Sequence, residues 1–242
     1  MPTVQEHYDG LLAEHYTWML GDFAARSEAA RQFFARHDLR GPGFAVDLGA
    51  GSGLQTLALA QLGYQVVALD TSAQLLGELA ERTAGLPVAA VCADLLTFAA
   101  HCPKSPHLVV CMGDTLSHLA APEQVRELAA AAFAALLPGG ALVLGFRDLS
   151  RALTGTDRIV PVRTSDDRIF TCFLEFLADR VQVHDVVHSR TGQGGEWSVA
   201  KSSYLKLRLA ADQVAQELTS AGFVLRHLTT QAGLVELIAV KP

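Results

Sequence analysis

The sequence predicts an α/β fold of the Rossmann-like, doubly wound kind: a mostly parallel seven-stranded sheet with an antiparallel three-stranded meander inserted after strand 5. Three observations carry this. Strand-like and helix-like segments alternate from about residue 44 to 147. The strand-like segments are short and almost wholly apolar, as expected where helices cover both faces of a parallel sheet. After Phe146 the rhythm changes to three longer segments of strand character separated by turn residues, then one helix and two strands. With 242 residues, 50% of them apolar, the chain is long enough to bury one core of this size.

The elements follow in order. Val4, Tyr8, Leu11, Leu12, Trp18 and Met19 recur at roughly helical spacing, 22–37 continues with good helix formers, and Gly41-Pro42-Gly43 ends the helical stretch. Strands are expected at 44–48, 65–69, 88–92, 108–111 and 141–146. Helices are expected at 54–62, 72–83 and 122–137, with Gly63, Gly85 and Gly139 just past their ends and Pro122 in a first turn. The meander is expected at 168–176, 181–188 and 197–207, turned by Ala178-Asp179 and by the Gly-rich 191–195. A helix at 211–221, Gly222, and strands at 223–229 and 234–240 close the chain.

Composition removes several function classes. The net charge is −6 and no stretch concentrates Lys and Arg, so nucleic acid would be repelled. No apolar run is long enough to span a membrane, and the start, MPTVQEHYDG, lacks a signal-peptide pattern, so a cytoplasmic location is expected. Cys92, Cys102, Cys111 and Cys172 form no CxxC pair and read as buried, reduced thiols. No HxH or CxxC spacing supports a metal, and the His184/His188 pair falls in an expected strand rather than on a helix.

The chemistry concentrates in FAVDLGAGSGL, residues 44–54: an apolar strand, Asp47, then Gly49, Gly51 and Gly53 before an apolar helix. Glycines suit a tight strand-to-helix turn where a ligand approaches the backbone, and the helix start offers free N–H groups to a nucleotide-like ligand. Asp70 ends the second strand, where an acid can accept both ribose hydroxyls; alternatively it caps the next helix. A nicotinamide or flavin enzyme would need glycine at 54, where Leu54 stands, and Asp47 would repel a pyrophosphate. A cationic sulfonium ligand reverses that objection.

An acid followed by GxGxG resembles motif I of the class I methyltransferases that use S-adenosylmethionine (SAM), and the resemblance extends from about residue 44 to the C-terminus. Asp94, in the Ala-Asp pair after the third strand, and Leu137-Pro138-Gly139-Gly140 before the fifth add to it. The resemblance implies SAM as cofactor and S-adenosylhomocysteine as product. It implies that Asp47, Gly49, Ala50, Gly51 and Gly53 face the methionine part, Asp70 with Thr71 the ribose, and Asp94 with Ala93 and Leu95 the adenine. It divides the chain into an N-terminal helical lid at 1–40 and a methyltransferase domain at 41–242, with the insertion at about 160–208.

CMGDTLSHL, 111–119, places Met112, Gly113 and Asp114 at the carboxyl end of the fourth strand, where doubly wound sheets hold ligands. The segment is similar to small-molecule methyltransferases related to glycine N-methyltransferase, except that Asp114 stands where they usually have Asn. Asp114 is a candidate to orient or deprotonate a nucleophile, or to cap a turn. His118 is a candidate general base or a structural histidine. Arg147, after the fifth strand, is a candidate clamp for an anionic acceptor, or the partner of Asp148. Tyr8, His15, Tyr16 and Trp18 either close over the donor or simply pack, and Gln182, His184 and His188 form a polar row that rims the acceptor pocket or faces solvent. The expected reaction is methyl transfer to an oxygen or nitrogen of a small-molecule acceptor by a monomer or homodimer. An NAD(P)-dependent oxidoreductase and a non-catalytic SAM-binding protein are the alternatives.

Overall fold

The computed structural model describes residues 3–192 and 194–242. Residue 193 of the expected Gly-rich turn, and the first two residues of the chain, lie outside them. Thr3 and Glu6 form a reciprocal capping box that starts helix α1, Val4–His7. A π-helical turn, Tyr8–Leu12, joins it to α2, Ala13–Leu20. Asp22 accepts the Ala25 N–H and caps α3, Phe23–Arg36.

The Rossmann-like part then runs β1 (Gly43–Leu48), α4 (Leu54–Gln61), β2 (Tyr64–Asp70), α5 (Ala73–Arg82), β3 (Val88–Cys92), β4 (Leu108–Cys111), α6 (Glu123–Ala135) and β5 (Ala141–Arg147). The second sheet follows as β6 (Ile159–Thr164), β7 (Arg168–Phe176), β8 (Arg180–Arg190) and β9 (Trp197–Leu207), and the chain returns through α7 (Ala211–Ser220), β10 (Val224–Gln231) and β11 (Leu234–Val240). The main sheet has the order β10-β11-β5-β4-β1-β2-β3. Strands β1 to β5 are parallel, while β11 is antiparallel to both of its neighbours. Strand order reverses between β1 and β4, so their carboxyl ends open the crevice in which such sheets bind ligands.

Apolar strands fill both faces. On one, Phe44, Leu48, Phe98, Leu128, Leu144, Phe146 and Val214 form the larger core. On the other, Phe33 and Phe34 of α3 pack with Ala45, Leu59, Val66 and Val143. Burying each such large side chain contributes roughly 1.5–3 kcal/mol. Among the described residues no helix is long and apolar enough to cross a membrane.

The expected elements appear within a few residues of their places, with three differences. The inserted sheet has four strands rather than three, because β6 pairs antiparallel with β7. Pro161 masks it: proline donates no ladder bond, and the strand tolerates it only as an edge strand whose pairing shifts between Pro161 and Arg163. The cysteines are all free, but only Cys111 is buried and Cys92 is exposed, since β3 is the sheet's edge and lacks full cover. Single 3-10 turns at Leu95–His101 and Thr115–His118 follow β3 and β4, where no helical period announces them.

The two faces of the second sheet differ. Phe170 and Val187 pack under Leu11 and Leu12 of the N-terminal segment. Gln182, His184 and His188 point to the opposite face, away from Val181, Val183, Asp185 and Val187, and His184 Nε2 lies 3.3 Å from Glu175 Oε2 there.

Candidate active site

A cavity of about 490 Å³ lies over the carboxyl ends of β1 to β4. Gly49 and Gly51 wall it after β1, Asp70 and Thr71 after β2, and Ala93, Asp94 and Leu95 after β3. Thr115 and His118 follow from the turn after β4. Tyr8 and Tyr16 come from the N-terminal segment, and Arg180 and Leu205 from the second sheet.

The glycines are needed where they stand. Gly51 has φ +52, and a Cβ there would come within 3.1 Å of the Tyr16 ring. Gly49 has φ +67, and a Cβ there would overlap the Thr115 side chain. Gly53 (φ 93) starts α4 against Leu79, and Ala50 is buried beside Leu76, so these two shape the turn without walling the cavity.

Asp70 Oδ2 accepts the Gly51 N–H (2.8 Å) and Oδ1 accepts the Ser72 N–H (2.8 Å). Ser72, not Asp70, caps α5, by accepting the Leu75 N–H. Each Asp70 oxygen keeps a lone pair for a ligand. Burial raises its carboxyl above the usual range despite these bonds. Asp94 is exposed on the wall and accepts the Leu96 N–H (2.8 Å).

Asp47 does not reach the cavity. It is 1% exposed and accepts the Thr56 hydroxyl (2.6 Å), and burial pushes its carboxyl up to about 7. A folded-state value above the unfolded one means that native protein binds the proton more tightly, so Asp47 lowers stability as pH rises from about 4 to about 7. Asp47→Asn removes that dependence. Its unfolding free energy, measured in urea, should therefore rise relative to wild type across this window by on the order of 1 kcal/mol per pH unit. A variant-minus-wild-type difference that stays flat from pH 4 to 8 would contradict the buried carboxyl.

At the end of β4, Met112 packs toward Gly145, and Gly113 (φ 74) and Asp114 (φ 76) are both left-handed. Asp114 is taken up by the chain itself: Oδ1 accepts the Arg147 N–H (3.0 Å) and the Ser117 hydroxyl (3.1 Å), and Oδ2 meets Lys206 Nζ at 2.6 Å. Burial alone would raise this carboxyl, but the Lys206 ammonium outweighs it and holds it below the usual range. The Asp114 side chain makes no cap bond to the helical turn that follows.

His118 is half-buried with its Nε2 shielded from water, and Tyr8 and Tyr204 stand edge-on to its ring at 5.8 and 5.6 Å. Burial, and then the Lys206 charge, drive its pKa down to about 3, so the ring is neutral, and Nε2 has no partner among the described residues. Burial likewise pushes the Tyr16 phenol up to about 12. The Arg147 side chain is exposed and makes no ion pair among the described residues, because Asp148 is engaged elsewhere, accepting from Ser150 and from the Ala211 N–H at the start of α7. The expected rival pairing of Arg147 with Asp148 is thus absent.

The structure therefore gathers Gly49, Gly51, Asp70, Thr71, Ala93, Asp94, Leu95 and His118 on one cavity, with Asp114 and Arg147 beside it and Asp47, Ala50, Gly53 and Met112 behind the wall. Lys206, Arg180 and Leu205 were not legible as site residues, since they come from β-pairing far along the chain. Thr115 could have been found, as the residue after Asp114. These features fit SAM: two glycines whose missing side chains open the wall, an ionisable pair of oxygens on Asp70, and a second acid on the adenine side.

Comparison with known proteins agrees. Residues 45–140 match the model of a methyltransferase domain. Glycine/sarcosine N-methyltransferase of Parasynechococcus marenigrum (strain WH8102) is 28% identical over 159 residues, covering 62% of this chain and 55% of that protein. The chain thus spans about half the length of this curated relative. Among solved structures, an S-adenosylmethionine-dependent methyltransferase from Clostridium acetobutylicum ATCC 824 superposes with TM-score 0.75 at 15% identity, covering 97% of this chain and 96% of that one. SAM-bound CalS10, an amino pentose methyltransferase from Micromonospora echinaspora, gives TM-score 0.73 at 18% identity over 95% and 96% of the two chains. These likenesses establish the shared fold, and the domain match at 45–140 takes in the glycine turn, Asp70 and Asp94. With its glycine-walled cavity at the switch point of the sheet, the chain carries a methyltransferase domain match over residues 45–140 and has the fold of SAM-dependent methyltransferase structures.

Proposed function

We propose that this chain transfers a methyl group from SAM to a nitrogen of a small metabolite carrying a carboxylate. His118 carries the reading: a half-buried, neutral imidazole on the cavity wall, its shielded Nε2 without a partner among the described residues and its pKa near 3. Such a ring orients the N–H of an amine that binds in its neutral form, its proton already left to solvent, but is too weak a base to ionise an alcohol. Asp114, held ionised by Lys206, is no better a base. The sugar and glycine/sarcosine N-methyltransferases among the similar proteins favour a nitrogen acceptor.

When bound, SAM supplies an electrophilic methyl group on its sulfonium. Asp70 would hold the ribose and Asp94 the adenine, while Gly49 and Gly51 would let the ligand lie against the backbone. Residues 3–20 act as a lid: Tyr8 and Tyr16 cover the cavity and exclude water, so that alignment rather than acid-base chemistry supplies the rate. Arg147, which makes no ion pair among the described residues and stands at the carboxyl edge of β5, would grip the acceptor's carboxylate with its planar fork.

Incubation with methyl-labelled SAM and a metabolite extract tests the reaction. Label retained on a cation exchanger and stable to alkali is the expected product; an alkali-labile ester or a non-basic ether overturns the nitrogen assignment. Once an acceptor is in hand, Arg147→Lys is expected to leave SAM affinity and Tm unchanged while raising the acceptor KM or lowering kcat/KM by about tenfold. A lowered Tm with wild-type kinetics would remove Arg147 from the acceptor site.

A further inference from the structure

The second sheet reaches the end of β4 through one buried charge. Lys206 of β9 extends its ammonium to Asp114 Oδ2 at 2.6 Å, and both side chains are only 13% exposed. Beyond the ionisation of Asp114, that charge bears on the backbone. Asp114 and Gly113 form a tandem left-handed turn, and that turn drops Thr115 onto Gly49, with the Thr115 hydroxyl 3.5 Å from the Gly49 carbonyl. Gly49 and Thr115 both wall the cavity. Left-handed backbone at a residue with a side chain persists only where its surroundings over-determine it, and the Asp114 carboxylate supplies that restraint through the Arg147 N–H, Ser117 and Lys206.

We infer that Lys206 is a positioning residue for the donor site: by neutralising and aiming Asp114 it fixes the turn from Gly113 to Thr115, and so makes SAM binding depend on the docking of the inserted sheet. The inference rests on the reading of this cavity as the SAM site. Without the ammonium, a carboxylate largely shielded from water turns outward or takes up a proton. Either change loosens its grip on the Arg147 N–H, the turn relaxes, and Thr115 leaves its place against Gly49. Removing both charges together is different. An Asn at 114 still accepts from the Arg147 N–H, tolerates left-handed backbone and leaves no unpaired charge behind.

The test is a calorimetric titration with SAM of wild type, Lys206→Met, Asp114→Asn and the double variant, each well below its Tm. Lys206→Met is expected to raise the SAM Kd about tenfold, equal to about 1.4 kcal/mol. The double variant is expected to return to within about threefold of wild type, a non-additivity that lost stability alone does not produce. If Lys206→Met does not fold, Lys206→Gln, which removes the charge and keeps a donor, is held to the same tenfold expectation. A Kd within twofold of wild type in the folded single variant overturns the inference, as does a double variant no better than the single. Wild type that fails to bind SAM overturns the donor-site reading itself, and this inference with it, before any variant is compared.

Discussion

A valine at position 51 is expected to weaken SAM binding by at least a hundredfold. Gly51 sits at φ +52, a region that β-branched residues hardly enter, and a Cβ there would stand 3.1–3.4 Å from three atoms of the Tyr16 ring. Relief by rotating the peptide would break the Gly51 N–H bond to Asp70 Oδ2 (2.8 Å), and relief by moving Tyr16 would lift the N-terminal segment off the cavity. Each route damages the donor site, and a hundredfold is about 2.7 kcal/mol. Calorimetry on the folded variant reads the effect. Gly77→Ala is the control: it lies on α5 with open space where its Cβ would go, and it should bind SAM as wild type does while gaining up to about 1 kcal/mol of helix stability. Affinity within threefold of wild type in Gly51→Val would separate the glycine motif from the ligand.

Asp70→Ala is expected to cost tenfold to a hundredfold in SAM affinity with the fold retained. The carboxylate joins the turn after β1 to the turn after β2, bonding both Gly51 and Ser72 N–H groups, and its remaining lone pairs face the cavity. Hydrogen bonds to a charged acceptor are worth roughly 1.5–3 kcal/mol each, which sets the range. Because Ser72 caps α5 independently, the helix should survive the substitution. A Tm drop with unchanged SAM Kd would instead make Asp70 a brace between two loops.

Legibility followed the range of the interactions. Asp70 was placed on the cavity wall by local pattern, because a short apolar strand ending in an acid puts that acid at the strand's carboxyl end whatever surrounds it, and Asp94 by the family resemblance. Asp47 matched the same motif but turned inward to Thr56, nine residues ahead on α4, a choice made by helix packing that no spacing reveals. β6 was hidden by Pro161, whose strand exists only because β7 offers it an edge. For Asp114 the residue type was visible, and the αL conformation is one that Asp tolerates. Its partner was not, because Lys206 lies 92 positions further along the chain.

The sequence by itself determined the alternation of strands and helices, the glycine turn after β1 and the acids at the ends of β2 and β3, because hydrophobic period, glycine freedom and strand polarity act over a few residues. Only the tertiary structure decided what faces the reacting end of the cavity. It brought Tyr16 over Gly51 and Tyr8 to the same cavity, shielded the His118 ring so that it stays neutral, left Arg147 without an ion pair among the described residues by committing Asp148 to α7, and carried Lys206 across from a second sheet to Asp114. Burial and charge pairing are properties of chain segments brought together from far apart, and they set the ionisation and direction of these groups only once both sheets have closed on the crevice.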